Sequence, residues 1–393
     1  MNAPQSASAA GFEDVAAILQ ALVRFDTESS KSNLPLIDWV ESYLGGLGVP
    51  FVRVPDVTGE KAAIFATIGP MRDGGIVLSG HSDVVPVEGQ IWSSDPFALR
   101  REDGRLYGRG TCDMKGFCAV ALAMAAEWRH LPLTSPIHIL ISYDEETTCL
   151  GPVDTIARFG ADLPRPRAII IGEPTSMQVV DAHKSVATYR TTVIGHEAHS
   201  SKPALGANAV EGACELVGEL YRIGRTLAAA GDPTGRFDPP ASTVHVGTIQ
   251  GGTARNILAR ECTFHWEFRG LPGVAPDLAR RALDAYARDV LLPRLRTTAP
   301  DADVVTTTEI EVPGLAPETG SPAETLALKL TRSNQRLAVP FATEGGRFQA
   351  AGLPTIVCGP GSIDQAHQPD EYIAEAQIYA ALDFMKALSR ELT

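Results

Sequence analysis

From residue 76 onward the chain alternates short apolar runs with helical patterns, and this rhythm restricts the fold more tightly than any other feature. Apolar runs at 76–78, 137–141 and 168–171 are separated by helical patterns at about 115–128 and 153–159. Such alternation predicts an α/β domain, a largely parallel sheet covered by helices on both faces, whose ligands collect at the carboxyl ends of the strands. Two amphipathic helices lead into it. Val15, Ile18, Leu19 and Leu22 recur at helical spacing, as do Ile37, Val40, Leu44 and Leu47, and Gly45, Gly46 and Gly48 end the second helix.

The pattern changes after His183. A strand at 186–194, a helix carrying Val210, Ala213, Val217 and Leu220 on one face, strands near 243–249 and 262–268, a helix at about 277–291 and a strand near 303–310 follow in the order βαββαβ. This describes a self-contained α+β domain at 185–313, inserted into a discontinuous domain formed by 1–184 and 314–393. From 321 the chain resumes with a helix, an apolar strand at 355–358, a Gly-Pro-Gly turn and a closing helix at 373–388. The Ala/Ser-rich first ten residues are expected to fray.

With 393 residues there is room for two or three domains that each bury a core. A hydrophobic fraction of 44% with 21% charged residues excludes disordered and fibrous classes. The net charge of -13, with no Lys/Arg cluster, argues against nucleic acid or an anionic membrane surface as partner. The start of the chain lacks a basic stretch followed by an apolar core, and no run approaches a membrane span, so a cytoplasmic location is expected. Six cysteines without C-x-x-C pairing read as buried free thiols, Cys112 included.

The residues that carry chemistry sit at the ends of the apolar runs or just after Gly-rich turns. His81 and Asp83 follow the first run two residues apart, so alternation points both the same way, and a carboxylate near a ligating imidazole fixes its tautomer. A hydrogen-bonded surface pair is the plainer reading of that motif alone. Asp113, bracketed by glycines ahead of an apolar helix, suits a helix cap and equally a bridging metal ligand favoured by the positive helix end. Asp144, Glu145 and Glu146 crowd one strand end, where three carboxylates repel unless a dication joins them. Glu173 follows the next run, and His367 completes the set. Two histidines and three carboxylates suit a pair of borderline divalent ions such as zinc, with cobalt or manganese also accommodated. Glu145 beside them is placed to serve as proton acceptor.

Long motifs, among them GHSDVVP at 80–86, LYGRGTCDMKGF at 106–117, IIGEPTS at 170–176, GHEAHSSKPALGANAVE at 195–211 and CGPGSIDQAHQPDEYI at 358–373, resemble a known family. It is the di-zinc metallohydrolase family that includes aminoacylases, desuccinylases, glutamate carboxypeptidases and acetylornithine deacetylases. The resemblance implies a catalytic domain with an inserted lid and dimerisation domain, and hydrolysis of a small N-acyl amino acid, N-acetyl-L-ornithine first, in arginine synthesis. It implies that His81 and Glu173 hold one zinc ion, Glu146 and His367 the other, that Asp113 bridges, and that Glu145 is the general base with Asp83 behind His81. It places a cis peptide at Asp113-Met114. His199 would stabilise the oxyanion, reaching from the small domain of a partner subunit, so a homodimer is expected. Asn256 and Arg269 match positions that bind a substrate carboxylate. Glu344 is a candidate partner for the substrate's cationic side chain, although Gly345-Gly346-Arg347 looks more like the desuccinylase and carboxypeptidase branches. His183 is open between hinge packing and substrate contact, and His196 has no assigned role.

Overall fold

The computed structural model describes residues 10–393. The stretch expected to fray lies, for residues 1–9, outside the described residues. Ala10 is buried and its N–H donates to Glu127 Oε2 at 2.9 Å. The described residues form two compact units, one made of the chain up to Asp181 with Pro317–Leu337 and Thr343–Thr393, the other of Ala182–Ala316 and Ala338–Ala342.

The first unit is built on a sheet whose strands run in the order Phe51–Pro55, Ala62–Ile68, Ile137–Ser142, Ile76–His81, Ala168–Pro174 and Thr355–Gly359. It continues through Val180–His183 and Leu337–Val339. The four strands from Ile137–Ser142 to Thr355–Gly359 are mutually parallel, with Leu78 beside both Ile139 and Ile170. Ala62–Ile68 is antiparallel to both its neighbours, so the sheet is mixed, with its parallel strands at the centre. All seven residues of that strand are buried, yet its short apolar run is a weak strand signal, because three of the seven residues are alanine and one is threonine.

Alternation divides the sheet's side chains between two faces. Ile64, Ile76, Leu78, Ile139, Ile170 and Ile356 enter one large core with residues of the helices Phe12–Val23, Leu34–Leu47, Lys115–Trp128, Pro322–Thr331 and Glu375–Leu392. Each large aliphatic side chain so buried contributes roughly 1.5–3 kcal/mol relative to exposure. Phe65, between two residues of that core face, turns the other way and meets Phe159 edge-on at 5.4 Å. Lys115–Trp128 is the most enclosed helix: every residue from Lys115 to Ala125 is buried, and the ring of Phe117 fills the place of a side chain at Gly172, where a Cβ would come within 2.1 Å of it.

The second unit carries a four-stranded antiparallel sheet in the order Thr243–Gly251, Glu261–Gly270, Ser185–Ile194, Asp303–Val312. One face is apolar, with Phe264, Trp266 and Phe268 packed against Leu216 and Leu220 of the helix Ala209–Ala230 and Leu283 of Leu278–Tyr286. Asn208 caps the long helix by accepting from the Val210 N–H at 3.1 Å. Tyr189 and Trp266, opposite each other in the register, stack at 4.3 Å. The strand and helix order is βαββαβ. No helix among the described residues is long and apolar enough to cross a membrane. Five cysteines are buried and all six are free, but Cys214 is exposed, against the expectation of uniformly buried thiols.

Candidate metal centre

Parallel strands bring their carboxyl ends to one edge, and four of them deliver the acidic and imidazole side chains there. His81 is the last residue of its strand, Glu173 is the penultimate residue of Ala168–Pro174, and Glu145 and Glu146 follow Ile137–Ser142 after Tyr143 and Asp144. His367 comes after Thr355–Gly359 on a loop where it adopts φ 63°, and Gln90 Nε2 donates to its carbonyl at 2.9 Å. Asp113 precedes the helix Lys115–Trp128, and its peptide bond to Met114 is cis.

The two oxygens of Asp113 face two different histidines. Oδ1 lies 3.1 Å from His81 Nε2 and Oδ2 lies 3.4 Å from His367 Nε2. His367 Nε2 is also 3.0 Å from Glu146 Oε2, and His81 Nε2 is 3.7 Å from Glu173 Oε1. His81, Asp113 and Glu146 offer donor atoms within 4.8 Å of one another, as do His81, Glu145 and Glu173. Geometry therefore admits Glu145 as a donor too. It differs from Glu146 in having no imidazole ion pair among the described residues.

Without a cation this cluster is electrostatically uncomfortable. Burial pushes Glu145 and Glu173 well above the ordinary carboxylate range, with neighbouring carboxylates adding to it. Burial and Asp113 carry Glu146 up to about 7. Hydrogen bonds to Asp113 and Glu146 raise His367 to about 10. Burial disfavours charge on His81, yet Asp113 and Asp83 raise it well above its usual value. Burial alone would raise Asp113, but His367 and His81 hold it low. Protons thus occupy positions that divalent ions would neutralise more completely. Glu173 Oε1 is buried without a hydrogen-bond partner, as an oxygen reserved for a metal would be. The donor set of two imidazoles and three carboxylates fits two borderline ions.

The supports of the centre are as well defined as its members. His81 Nδ1 lies 2.9 Å from the Asp83 carbonyl and 3.4 Å from its carboxylate, which leaves Nε2 for coordination. The Asp83 carboxylate also accepts from Ser29 Oγ at 2.6 Å, Glu145 N–H at 3.2 Å and Glu146 N–H at 3.3 Å. One buried carboxylate therefore steadies both the imidazole and the acidic turn. Glu371 does the same for the Asp113 loop. It accepts from Gly110 N–H at 2.9 Å, Cys112 N–H at 2.8 Å, Asp113 N–H at 3.0 Å and the buried guanidinium of Arg109 at 2.8 Å. Sequence reasoning missed Ser29, Arg109 and Glu371 as supports. The only signals were an arginine between glycines and an acidic residue shortly after His367.

The remaining candidates behave differently. Glu344 is fully buried and its Oε1 accepts from Ser142 Oγ at 2.5 Å; burial pushes it up to about 8. In the second unit His199 is exposed, and the Ser201 N–H donates to its Nδ1 at 3.1 Å, so its proton resides on Nε2. Asn256 lies beside it in the same loop pair, its carbonyl accepting from the Ser200 N–H at 3.0 Å. Arg269 sits on the sheet face opposite the apolar core, with its fork already engaged by Glu267 at 3.0 and 3.2 Å. His183 is buried, with Nδ1 2.9 Å from the Lys184 carbonyl, and His196 exchanges backbone hydrogen bonds with Ala207. The Cys112 thiol bonds to the Ser362 carbonyl at 3.3 Å and burial raises its pKa strongly, which suits packing.

Residues 77–391 match the model of peptidase family M20/M25/M40. An acetylornithine deacetylase of Proteus mirabilis is 36% identical over 368 residues, covering 92% of this chain and 91% of the relative. Among solved structures, aminopeptidase PepT of Bacillus cereus superposes with a TM-score of 0.75 at 19% identity, covering 98% of this chain and all of the other. The YXEP protein of Bacillus subtilis, described as a dinuclear metal binding peptidase, superposes at 0.65 with 14% identity over 97% of this chain and 98% of its own. With four strand ends converging on one acidic and imidazole cluster and most of its length matched, the chain belongs to peptidase family M20/M25/M40.

Proposed function

We propose that this chain is a two-metal amidohydrolase that converts N-acetyl-L-ornithine and water to L-ornithine and acetate, a reaction of arginine synthesis. The observation that carries the reading is Asp113, whose two oxygens address His81 and His367 separately while a second, half-buried carboxylate, Glu145, lies in the same cluster without an imidazole ion pair of its own. The choice of substrate is supported by the Proteus mirabilis relative.

His81 and Glu173 would hold one ion, Glu146 and His367 the other, and Asp113 would be shared. Bound there, two zinc ions would polarise the acyl carbonyl and make an attacking water more acidic. Glu145 takes a proton from that water on its carboxylate as the water oxygen bonds to the acyl carbon. It returns the proton to the amine nitrogen as the C–N bond breaks. Asp83 keeps Glu145 in place through the Glu145 N–H and orients His81. The Nε2–H of His199 supplies a donor for the developing oxyanion, from the partner subunit of a homodimer. Asn256 and Arg269 receive the substrate carboxylate, for which Arg269 must exchange Glu267. A substrate ammonium beside Glu344 would favour its ionised form, offsetting the burial that raises it.

A panel of N-acyl amino acids, N-succinyl-diaminopimelate included, assayed with the metal-reconstituted protein tests this. N-acetyl-L-ornithine is expected to give the highest kcat/KM; fast turnover of another acyl amino acid with none of acetylornithine defeats the substrate assignment. Glu145→Gln is expected to lower kcat by about 100- to 10,000-fold at full metal occupancy. Undiminished turnover in that variant removes Glu145 from the mechanism.

A further inference from the structure

We propose that Cys149 is a positioning residue for Glu145, its thiol proton holding the carboxylate in the orientation that accepts and returns the proton. The inference rests on the reading of Glu145 as general base. The acidic turn is a single closed loop: the N–H groups of Thr148 and Cys149 both donate to the Asp144 carbonyl, at 2.9 and 2.8 Å. Its two ends, Asp144 and Cys149, both take left-handed backbone, at φ 56° and 51°. This conformation is uncommon for a cysteine and turns its side chain back over the loop it closes. Cys149 Sγ thereby lies 3.2 Å from the Glu145 carbonyl and 3.5 Å from Glu145 Oε1. Among the described residues, no other side chain donates to the Glu145 carboxylate, whereas Glu146 has His367 and Asp113 has both histidines.

The loop is also held from outside. Arg347 Nε and Nη2 donate to the Cys149 and Thr148 carbonyls at 3.2 and 3.0 Å, and Asp83 holds the Glu145 and Glu146 N–H groups. With backbone fixed at both ends, the freedom that remains is rotation of the Glu145 side chain, and the thiol is placed to limit it. Burial favours the protonated sulfur, so it remains a donor.

Two substitutions separate this role from packing. Cys149→Ala removes the donor, and the metal-loaded enzyme is expected to lose about tenfold in kcat with KM within twofold of wild type. Cys149→Ser keeps a donor on the same bond and is expected to stay within about threefold of wild type. Infrared spectra of the metal-loaded protein give an independent readout. The S–H stretch of Cys149, isolated by difference against Cys149→Ala, should shift in Glu145→Ala, because the carboxylate acceptor is gone and only the backbone carbonyl at 145 remains. Unchanged kcat in Cys149→Ala, equal losses in the alanine and serine variants, loss explained by lower metal content, or an unmoved S–H band would each overturn the proposal. If Glu145→Gln is itself fully active, the fault lies in the general-base reading instead.

Discussion

Glu371 offers the sharpest test of how the centre is held, because it is buried, touches no candidate ligand side chain, and organises the loop that presents Asp113. In Glu371→Gln the shape is kept, but the charge opposite the buried Arg109 is lost and an amide NH₂ replaces an acceptor facing backbone N–H groups. Glu371 Oε1 serves Cys112 and Asp113, and Oε2 serves Gly110 and Arg109. Whichever way the amide turns, one side loses its acceptor. Breaking a buried ion pair by removing one partner costs about 3–5 kcal/mol. Denaturant unfolding of the metal-free protein should therefore show a loss of that size, and the affinity for metal should fall about 10- to 100-fold as Asp113 is displaced. A cycle with Arg109→Met sharpens the test. Once the guanidinium is gone, Glu371→Gln should cost less than in the wild type, giving a coupling of about 0.5–3 kcal/mol. Additive effects of the two substitutions, or a Glu371→Gln protein with wild-type stability and metal affinity, would refute the reasoning.

Three further outcomes are expected. Asp83→Asn removes one of the acceptors shared by Ser29, Glu145 and Glu146 and disturbs His81, so chelator competition should show metal binding about 10- to 100-fold weaker; unaltered affinity counts against the role given to Asp83. Gly359→Ala would place a Cβ 1.9 Å from the Gly172 carbonyl and 2.6 Å from that of Glu173, forcing two strands apart beside a ligand. A stability loss of about 1–3 kcal/mol or more is expected in urea, and a neutral result argues against the tight register. Burial pulls His138 down to about 4, below the ~6.5 of the unfolded chain. Between these values the unfolded chain binds the additional proton, so the stability that the neutral ring contributes is complete above about pH 6.5 and is lost as pH falls toward 4. His138→Gln should flatten the change in urea midpoint between pH 7 and pH 5; an identical slope contradicts the assignment.

Much of this architecture was legible along the chain. Apolar runs bounded by turns located the strands at 137–141 and 168–171, and helical spacing located both leading helices. Motif chemistry singled out His81, Asp113, Glu145, Glu146, Glu173 and His367, which the fold brings into one cluster. The strand Ala62–Ile68 escaped notice because alanines give a weak apolar signal, although every residue is buried between neighbours. Glu344 looked like a side chain available to a ligand, and the structure places it under Ser142. Arg269 looked like a free carboxylate receptor, and it is engaged by Glu267.

Local pattern was enough to assign many of the elements and the donor chemistry, because periodicity and residue type are properties of short windows. Only the tertiary structure decided which oxygen of Asp113 faces which histidine, that Asp83 serves an imidazole and an acidic turn together, and that Glu371 and Arg109 meet in the interior. Those pairings join positions far apart in sequence. Their partners are chosen by strand order and by the need of every buried polar group for a partner, which no single stretch of sequence can specify.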